Sequence, residues 1–184
     1  MAEISVVVPI YNVELYLPAC LQSIARQSLR DLDVVLVDDG SSDRSAAIAE
    51  HFCRHDRRFR LLRQANAGLG AARNAGLAAA ECEYLAFVDS DDVLPANAYE
   101  LLLGSLRKSG SDFATGNVRR LSSAGLTQAQ FLARRSGERG GRRTSRASRR
   151  WWPTARPGTS SGGGHSGTRT TCASRRGSST RTSQ

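Results

Sequence analysis

Lysine is almost absent from this sequence, in which Lys108 is the single lysine among 26 Lys and Arg residues. Arg107, and not glycine, precedes Lys108. The pattern G-x-x-x-x-G-K-[ST] therefore does not occur, which excludes the P-loop NTPases. No apolar run approaches the roughly 18 residues that a membrane-spanning helix needs. The first residues form a short apolar run without a basic region, which predicts an initial strand and not a signal peptide.

Closely paired cysteines are also missing. The four cysteines, Cys20, Cys53, Cys82 and Cys172, form no C-x-x-C pair. The first three lie in apolar stretches, which favours reduced, buried thiols over disulfide bonds. This usage is typical of cytosolic proteins and predicts a cytoplasmic location.

Residues 134–184 contain no Leu, Ile, Val, Met or Phe. Arg, Ser, Gly and Thr make up 40 of these 51 residues, with 13 Arg against one acid, Glu138. A segment of this composition cannot bury enough apolar surface to offset the entropy lost on ordering. Residues 1–133 carry a net charge of −3 and are rich in Ala, Leu and Val. The sequence therefore predicts a globular domain over 1–133 and a disordered tail over 134–184.

Short apolar strands alternate with amphipathic helices through the predicted domain. The predicted strands are 4–10, 33–39, 59–64 and 84–89, and the predicted helices are 17–27, 40–56, 67–80 and 94–110. A further strand is predicted within 112–121, and a helix is predicted to begin within 126–133. Such alternation predicts an α/β domain of three α/β/α layers with a mainly parallel sheet. Ligands of such sheets bind at the carboxyl ends of the strands.

Three aspartates, Asp89, Asp91 and Asp92, follow the predicted strand 84–89. They repel one another at neutral pH, so a positive group is expected beside them. Mg²⁺ and Mn²⁺ are hard cations that proteins hold with one or two carboxylates plus substrate phosphates. The alternative is that the aspartates cap the next helix, but Pro95 predicts the first helical turn and leaves them upstream. The spacing therefore favours a metal site.

The segment VDDGSSD, residues 37–43, places further carboxylates at the same predicted edge of the sheet. Asp38 ends a buried strand, where it can point into a crevice and accept N–H or ribose O–H bonds. The alternative is ordinary turn chemistry, with Ser42 or Asp43 as a helix cap. Taken alone, this segment leaves both interpretations open.

The segment NAGLGAARNAG, residues 66–76, looks at first like a dinucleotide-binding loop. Arg73 replaces the third glycine of G-x-G-x-x-G, and the segment follows the third strand and not the first, so a nicotinamide site is excluded. A helix N-terminus with small residues still favours an anion. Arg73 could reach a nucleotide or its phosphates.

In this order and spacing, VVVPIYN, VDDGSSD, NAGLGAARNAG and FVDSDD resemble the nucleotide-binding half of family 2 glycosyltransferases, over about residues 3–121. The resemblance implies the GT-A fold and inverting transfer of a sugar from a nucleotide-diphospho-sugar, a UDP-sugar above all, to an acceptor hydroxyl. It implies Mg or Mn as cofactor and a role in cell-surface polysaccharide synthesis. Association with the inner face of the membrane stays open, and no specific nucleic-acid partner is expected.

The resemblance also assigns site residues by position. The implied donor-binding residues are Pro9, Tyr11, Asp38, Asp39, Arg73 and Asp89, and the implied metal ligands are Asp91, Asp89 and Asp92. Pro9 and Tyr11 would lie in a loop against the base. Asp38 or Asp39 would contact uracil or ribose, and Arg73 would line the nucleotide pocket. Within the D-x-D pair Asp91 would hold the metal, helped by Asp92.

A catalytic base is missing from this assignment. In the family that carboxylate lies well beyond the D-x-D, whereas here only Glu100, Asp112 and Glu138 follow Asp92. None is credible as a base, so the catalytic residue stays unknown. The acceptor-binding half is expected to be absent from this chain, and the activity of the chain is expected to be impaired. The alternative is a nucleotide-sugar-binding module without catalysis.

The predicted tail has two explanations. Many arginines with glycine, serine and threonine but no lysine are what GC-rich coding DNA yields out of frame, so we interpret the tail as the product of a frameshift near residue 133. The alternative is a nucleic-acid-binding arm in which Trp151 and Trp152 stack on bases while arginines contact phosphates. Thirteen arginines would bind polyanions without specificity in either case.

Overall fold

The computed structural model describes residues 2–116, 119–122, 125–128 and 172–175. Its strands are β1 (Ile4–Ile10), β2 (Leu32–Asp38), β3 (Phe59–Arg63), β4 (Tyr84–Phe87), β5 (Phe113–Thr115), β6 (Arg119–Ser122), β7 (Gly125–Gln128) and β8 (Cys172–Arg175). Its helices are α1 (Leu17–Ala25), α2 (Ser45–His55), α3 (Leu69–Ala79) and α4 (Ala98–Ser109).

The chain divides into two units, Met1–Gly116 with Thr168–Gln184, and Asn117–Gly167. The first contains a six-stranded sheet of order β3-β2-β1-β4-β8-β5. The four strands from β3 to β4 are parallel, whereas β8 is antiparallel to both β4 and β5. The described part of the second unit is the antiparallel β6–β7 hairpin.

Side chains on the two faces of β1 belong to two separate apolar clusters. Val6 and Val8 join a cluster that includes the buried faces of α1 and α4. Val7 points to the opposite face and joins a cluster with Ala72 of α3. Because β1 is covered on both faces, all of its residues are buried, and every one except Ser5 is apolar. The predicted three-layer α/β domain is confirmed.

Gly76 brings α3 unusually close to the sheet. A Cβ atom built on this residue would lie 2.2 Å from Cγ1 of Val7, well inside van der Waals contact. The final glycine of the segment NAGLGAARNAG is therefore a packing residue, which lets the helix lie directly against β1.

A polar network fixes the edge of the sheet at which the parallel strands begin. Ser5 Oγ donates to Asp33 Oδ2 at 3.1 Å and accepts the N–H groups of Glu81 and Cys82 at 3.2 and 3.1 Å. Arg60 pairs with Asp33 through Nε at 2.9 Å. These bonds hold the connection from α3 to β4 against β1 and β2.

Two predicted features need correction. The helix predicted to begin within 126–133 is wrong over Leu126–Gln128, which lie in β7, because three residues show too little periodicity to distinguish a strand from a helix. Pro95 does not lie in the first turn of the next helix, since α4 begins at Ala98. The Pro95 carbonyl instead accepts the Ala98 N–H at 3.1 Å, in a turn ahead of the helix.

Most of the predicted tail, including Glu138, Trp151 and Trp152, lies outside the described residues, as does the predicted boundary at residue 133. Within it, the structure describes β8 where the composition predicts disorder. Strand pairing is a backbone interaction, and the edges of β4 and β5 supply N–H and C=O groups without requiring apolar side chains.

Cys20, Cys53 and Cys82 are free thiols, as predicted. Over the described part of the chain, every helix is too short or too polar to cross a membrane.

Candidate functional site

The carboxyl ends of the parallel strands meet where β1 lies between β2 and β4. The chain order of the strands reverses between β1 and β4, which is the switch point at which α/β sheets open a crevice. Asp38 is the last residue of β2, opposite Ile10 of β1, and Asp89 follows β4. The predicted meeting of these two carboxylate segments at one edge is confirmed.

Arg73 of α3 and Asp89 form an ion pair in which Nη2 donates to Oδ1. Both side chains are largely buried, and Arg73 Nε is buried with no hydrogen-bond partner within the described residues. The arginine therefore supplies part of the positive charge that the aspartates require.

Asp91 and Asp92 occupy the same tight turn but differ in exposure. The Asp92 N–H donates to the Asp89 carbonyl at 3.0 Å, which closes the turn. Asp92 is only 4% exposed, whereas Asp91 is exposed to solvent. The described residues contain no group of three His, Cys, Asp or Glu side chains that could hold a metal ion. A cation bound here would therefore need oxygen ligands from a second molecule, such as a diphosphate.

Asp39 is 2% exposed and organises the loop that leads into α3. Its Oδ1 accepts hydrogen bonds from Gln64 Nε2 at 2.7 Å and the Ala67 N–H at 2.9 Å, and its Oδ2 accepts the Gly68 N–H at 2.8 Å. Burial raises the pKa of the Asp39 carboxyl, but these three hydrogen bonds outweigh burial and hold the pKa below its ordinary value. The Asp39 carboxylate thus positions the loop that carries Gly68.

We expect the Asp39→Asn change to destabilise the domain by about 2–4 kcal/mol at pH 7, because the carboxylate loses charge-assisted bonds to two backbone N–H groups. The folded-state pKa of Asp39 is lowered, so its stabilisation is complete above the ordinary pKa of 3.8 and is lost as pH falls through the folded value. Urea unfolding of both proteins between pH 7 and pH 3 measures this. A difference in unfolding free energy that stays constant over this range would contradict it.

Asp38 contacts the turn that follows it. Its Oδ1 accepts the Ser41 N–H at 3.0 Å, and Arg63 Nε lies 4.0 Å from its Oδ2. The first contact is the turn chemistry that the sequence left open for this segment. The second contact places the positively charged Arg63 side chain near the carboxylate but beyond hydrogen-bond distance.

The loops after β1 and β2 are tied together by hydrogen bonds. Asn12 Oδ1 accepts the Ser42 N–H at 2.8 Å, Ser45 Oγ accepts the Val13 N–H at 2.9 Å, and Asp43 Oδ2 accepts the Glu14 N–H at 3.0 Å. The polar residues after Asp39 therefore build the wall of the crevice. Ser42 acts between the loops, whereas Asp43 acts both there and at the start of α2, where its Oδ1 accepts the Ser45 N–H at 2.9 Å.

Pro9 and Tyr11 differ in position from what the resemblance implies. Pro9 lies inside β1, paired with Val37 of β2, so its placement in a loop is wrong. Tyr11 does follow the strand, and 50% of the residue is exposed. An exposed aromatic ring beside the switch point is available to stack on a flat ligand group.

Sequence reasoning missed the residues of α1 that contact the segment after β4. Cys20 Sγ donates to the Asp89 carbonyl at 3.6 Å, and Ser23 Oγ accepts the Leu94 N–H at 3.1 Å. Burial, with a smaller effect from Asp92, Asp91 and Asp89, raises the pKa of the Cys20 thiol far above its ordinary value, so it stays protonated. The apolar periodicity of the helix gave no signal for either contact.

Comparison with known proteins identifies the class of this domain. A family model described as Glycosyl transferase family 2 matches residues 5–166, well over half of the chain. The chain belongs to glycosyl transferase family 2, which confirms the resemblance. The match extends past residue 133, where the sequence predicts the end of the globular domain.

Two bacterial relatives show how much of a family member this chain spans. It is 44% identical over 99 residues to "Uncharacterized glycosyltransferase EpsJ" of Bacillus subtilis (strain 168), covering 54% of this chain and 29% of the relative. It is 43% identical over 115 residues to "Glycosyltransferase GlyG" of Streptococcus pneumoniae serotype 4, covering 62% of this chain and 38% of the relative. The matched part is thus well under half the length of either protein.

A solved structure of similar fold supports the same class. The crystal structure of S. aureus TarS 1–349 matches with a TM-score of 0.57 and 34% identity, covering 60% of this chain and 34% of that one. TarS 1–349 has also been crystallised in complex with UDP and with UDP-GlcNAc. The GT-A architecture implied by the sequence motifs is confirmed.

Proposed function

We propose that this chain binds the nucleoside diphosphate of a nucleotide-sugar donor at the carboxyl edge of its sheet. The observation that carries the proposal is the convergence of Asp38, the Arg73–Asp89 ion pair and the exposed Asp91 at one switch point. The complexes of TarS with UDP and UDP-GlcNAc support uridine diphosphate as the nucleotide.

Each donor-binding group has a distinct role in this proposal. Tyr11 offers an aromatic surface to the base, and Asp38 accepts hydrogen bonds from uracil or ribose. Arg73, paired with Asp89 through Nη2, places positive charge beside the nucleotide phosphates. Asp39 contributes indirectly, because its hydrogen bonds shape the loop between β3 and α3.

The carboxylates of the turn fit a divalent cation, Mg²⁺ or Mn²⁺. Asp91 presents an exposed hard-oxygen ligand, and Asp89 and Asp92 lie in the same turn. One or two of these carboxylates together with diphosphate oxygens satisfy such a cation, so three protein ligands are not required. When bound, the cation would offset the negative charge that develops on the diphosphate leaving group.

The reaction that we propose for the family site is inverting transfer of the sugar to an acceptor hydroxyl, in cell-surface polysaccharide synthesis at the cytoplasmic side of the membrane. This transfer requires a base for the hydroxyl proton. Glu100 Oε2 instead accepts a hydrogen bond from Ser28 Oγ at 2.6 Å, beyond the C-terminal end of α1 and away from Asp91. We therefore propose that Glu100 is not the base and that the base belongs to the acceptor-binding half of the family site, and the second candidate function is donor binding without transfer.

Isothermal titration of the full chain with UDP, in Mn²⁺, in Mg²⁺ and in EDTA, tests the proposal. We expect UDP to bind, and to bind more tightly with either cation because the carboxylate turn and the diphosphate share it. Absence of UDP binding under all three conditions would overturn the proposed function. Adding a UDP-sugar and following UDP release then separates transfer or hydrolysis from binding alone.

A further inference from the structure

We propose that Ser23 of helix α1 and Gln27, which lies two residues beyond the end of α1, are positioning residues for the segment Asp89–Ala96, which carries the candidate cation-binding carboxylates. The inference rests on the proposed function and extends it to a part of the chain that touches no ligand. These side chains would act by holding the backbone that follows Asp91 and Asp92, while Cys20 Sγ holds the backbone before them.

The segment after β4 has no regular secondary structure and runs alongside α1 in the same direction. The contacts advance together along both, because Cys20 donates to the Asp89 carbonyl, Ser23 accepts from Leu94 and Gln27 contacts Pro95. The Ser28 N–H continues the series by donating to the Ala96 carbonyl at 2.7 Å. The carboxylates of Asp91 and Asp92 therefore lie between two anchored points.

Gln27 is the most deeply placed of these anchors, with 0% of the residue exposed. Its Nε2 donates to the Pro95 carbonyl at 2.6 Å and the Ser23 carbonyl at 3.2 Å, and its Oε1 accepts the Tyr99 N–H at 3.2 Å. One side chain thus satisfies backbone groups of α1, the segment and α4. If one of these partners moved away, a buried polar group would be left without a hydrogen bond, which would destabilise the fold. The three bonds therefore fix the path of the segment.

Ser23 supplies a second anchor, nearer to the carboxylates. Its hydroxyl donates to the Cys20 carbonyl at 2.7 Å and accepts the Leu94 N–H, and the residue is 8% exposed. Without these anchors the turn could rotate, and binding of a cation with a diphosphate would have to order it first. The free energy of ordering the turn would weaken UDP binding in the presence of the cation. It would have little effect on the contacts of the nucleotide with other loops.

A matched pair of serines provides the test. Ser23→Ala removes an anchor of the segment, and Ser5→Ala removes a buried hydroxyl that also accepts backbone N–H bonds but lies at the opposite edge of the sheet. Titration of the full chain with UDP, with and without Mn²⁺, gives the factor by which Mn²⁺ strengthens UDP binding. Thermal unfolding of each variant measures the general loss of stability.

We expect Ser23→Ala to reduce the Mn²⁺ strengthening factor by about fivefold, the equivalent of one hydrogen bond, while UDP affinity in EDTA changes little. Ser5→Ala should lower the unfolding temperature and leave the factor unchanged. Gln27→Met should act like Ser23→Ala. If Ser23→Ala and Ser5→Ala have the same factor as the unmodified chain, the positioning role is wrong while the proposed function stands. If the unmodified chain shows no Mn²⁺ strengthening, the cation-binding part of the proposed function fails instead.

Discussion

Replacing Gly76 by alanine is expected to lower the free energy of unfolding by about 1–3 kcal/mol, the usual cost of overpacking a close-packed interior. The new methyl carbon would lie 2.2 Å from Val7 Cγ1, 3.1 Å from Val7 Cγ2 and 3.2 Å from Val37 Cγ2. Both valines belong to central strands and are fully buried, and their branched side chains have little rotamer freedom. Helix α3 would have to move away from the sheet, carrying Arg73 with it. Urea unfolding of the full chain measures the loss.

Two further variants separate the steric effect from the general effect of alanine in a helix. Gly104 of α4 is also inside a helix, but a Cβ atom there meets nothing within 4 Å. Gly104→Ala should therefore stabilise the domain by about 0.5–1 kcal/mol. Adding Val7→Ala to Gly76→Ala should recover part of the loss. Equal effects of alanine at 76 and 104 would refute the close contact.

The Asp91→Asn change should remove most of the strengthening of UDP binding by Mn²⁺. Asp91 is the exposed carboxylate of the turn, and an amide oxygen carries no charge to offset that of the cation. We expect the strengthening factor to fall at least about tenfold, which corresponds to ~1.4 kcal/mol. UDP affinity in EDTA should hold or rise slightly, since a negative charge near the diphosphate has been removed.

The exposed Asp31 provides the control, because it lies just before β2 at the opposite edge of the sheet. Asp31→Asn removes the same charge from the domain and should leave the Mn²⁺ strengthening factor unchanged. Equal loss of the factor in both variants would mean that Mn²⁺ acts through net charge. No loss in Asp91→Asn would remove Asp91 from the candidate site.

The arrangement of the parallel strands and their common edge could be predicted from sequence because the strands are short, mostly apolar and separated by amphipathic helices. Asp38 and Asp89 were placed at that edge by the same pattern, and the structure agrees. The short segment 126–128 was mistaken for helix because three residues carry too little periodicity to decide. β8 was missed because its pairing uses backbone groups, which composition does not reveal.

The roles of individual polar residues were harder to predict. The resemblance assigned Asp39 to the nucleotide, and the sequence did not predict that its carboxylate binds Gln64 and the N–H groups of Ala67 and Gly68, more than twenty residues away. Gln27 carried no signal of its own, since a glutamine near a helix end is ordinary. Both roles depend on how loops approach in space, which neither periodicity nor spacing encodes.

The most direct test of the proposed site is the position of Mn²⁺ in a crystal of the full chain grown with UDP, measured by anomalous scattering at the manganese edge. The proposed function predicts a single strong peak beside the Asp91 carboxylate, bridged to the diphosphate, with the uracil near Tyr11 and Asp38. Ordered UDP with the manganese peak elsewhere, or a nucleotide bound away from the carboxyl edge between β1 and β4, would contradict it.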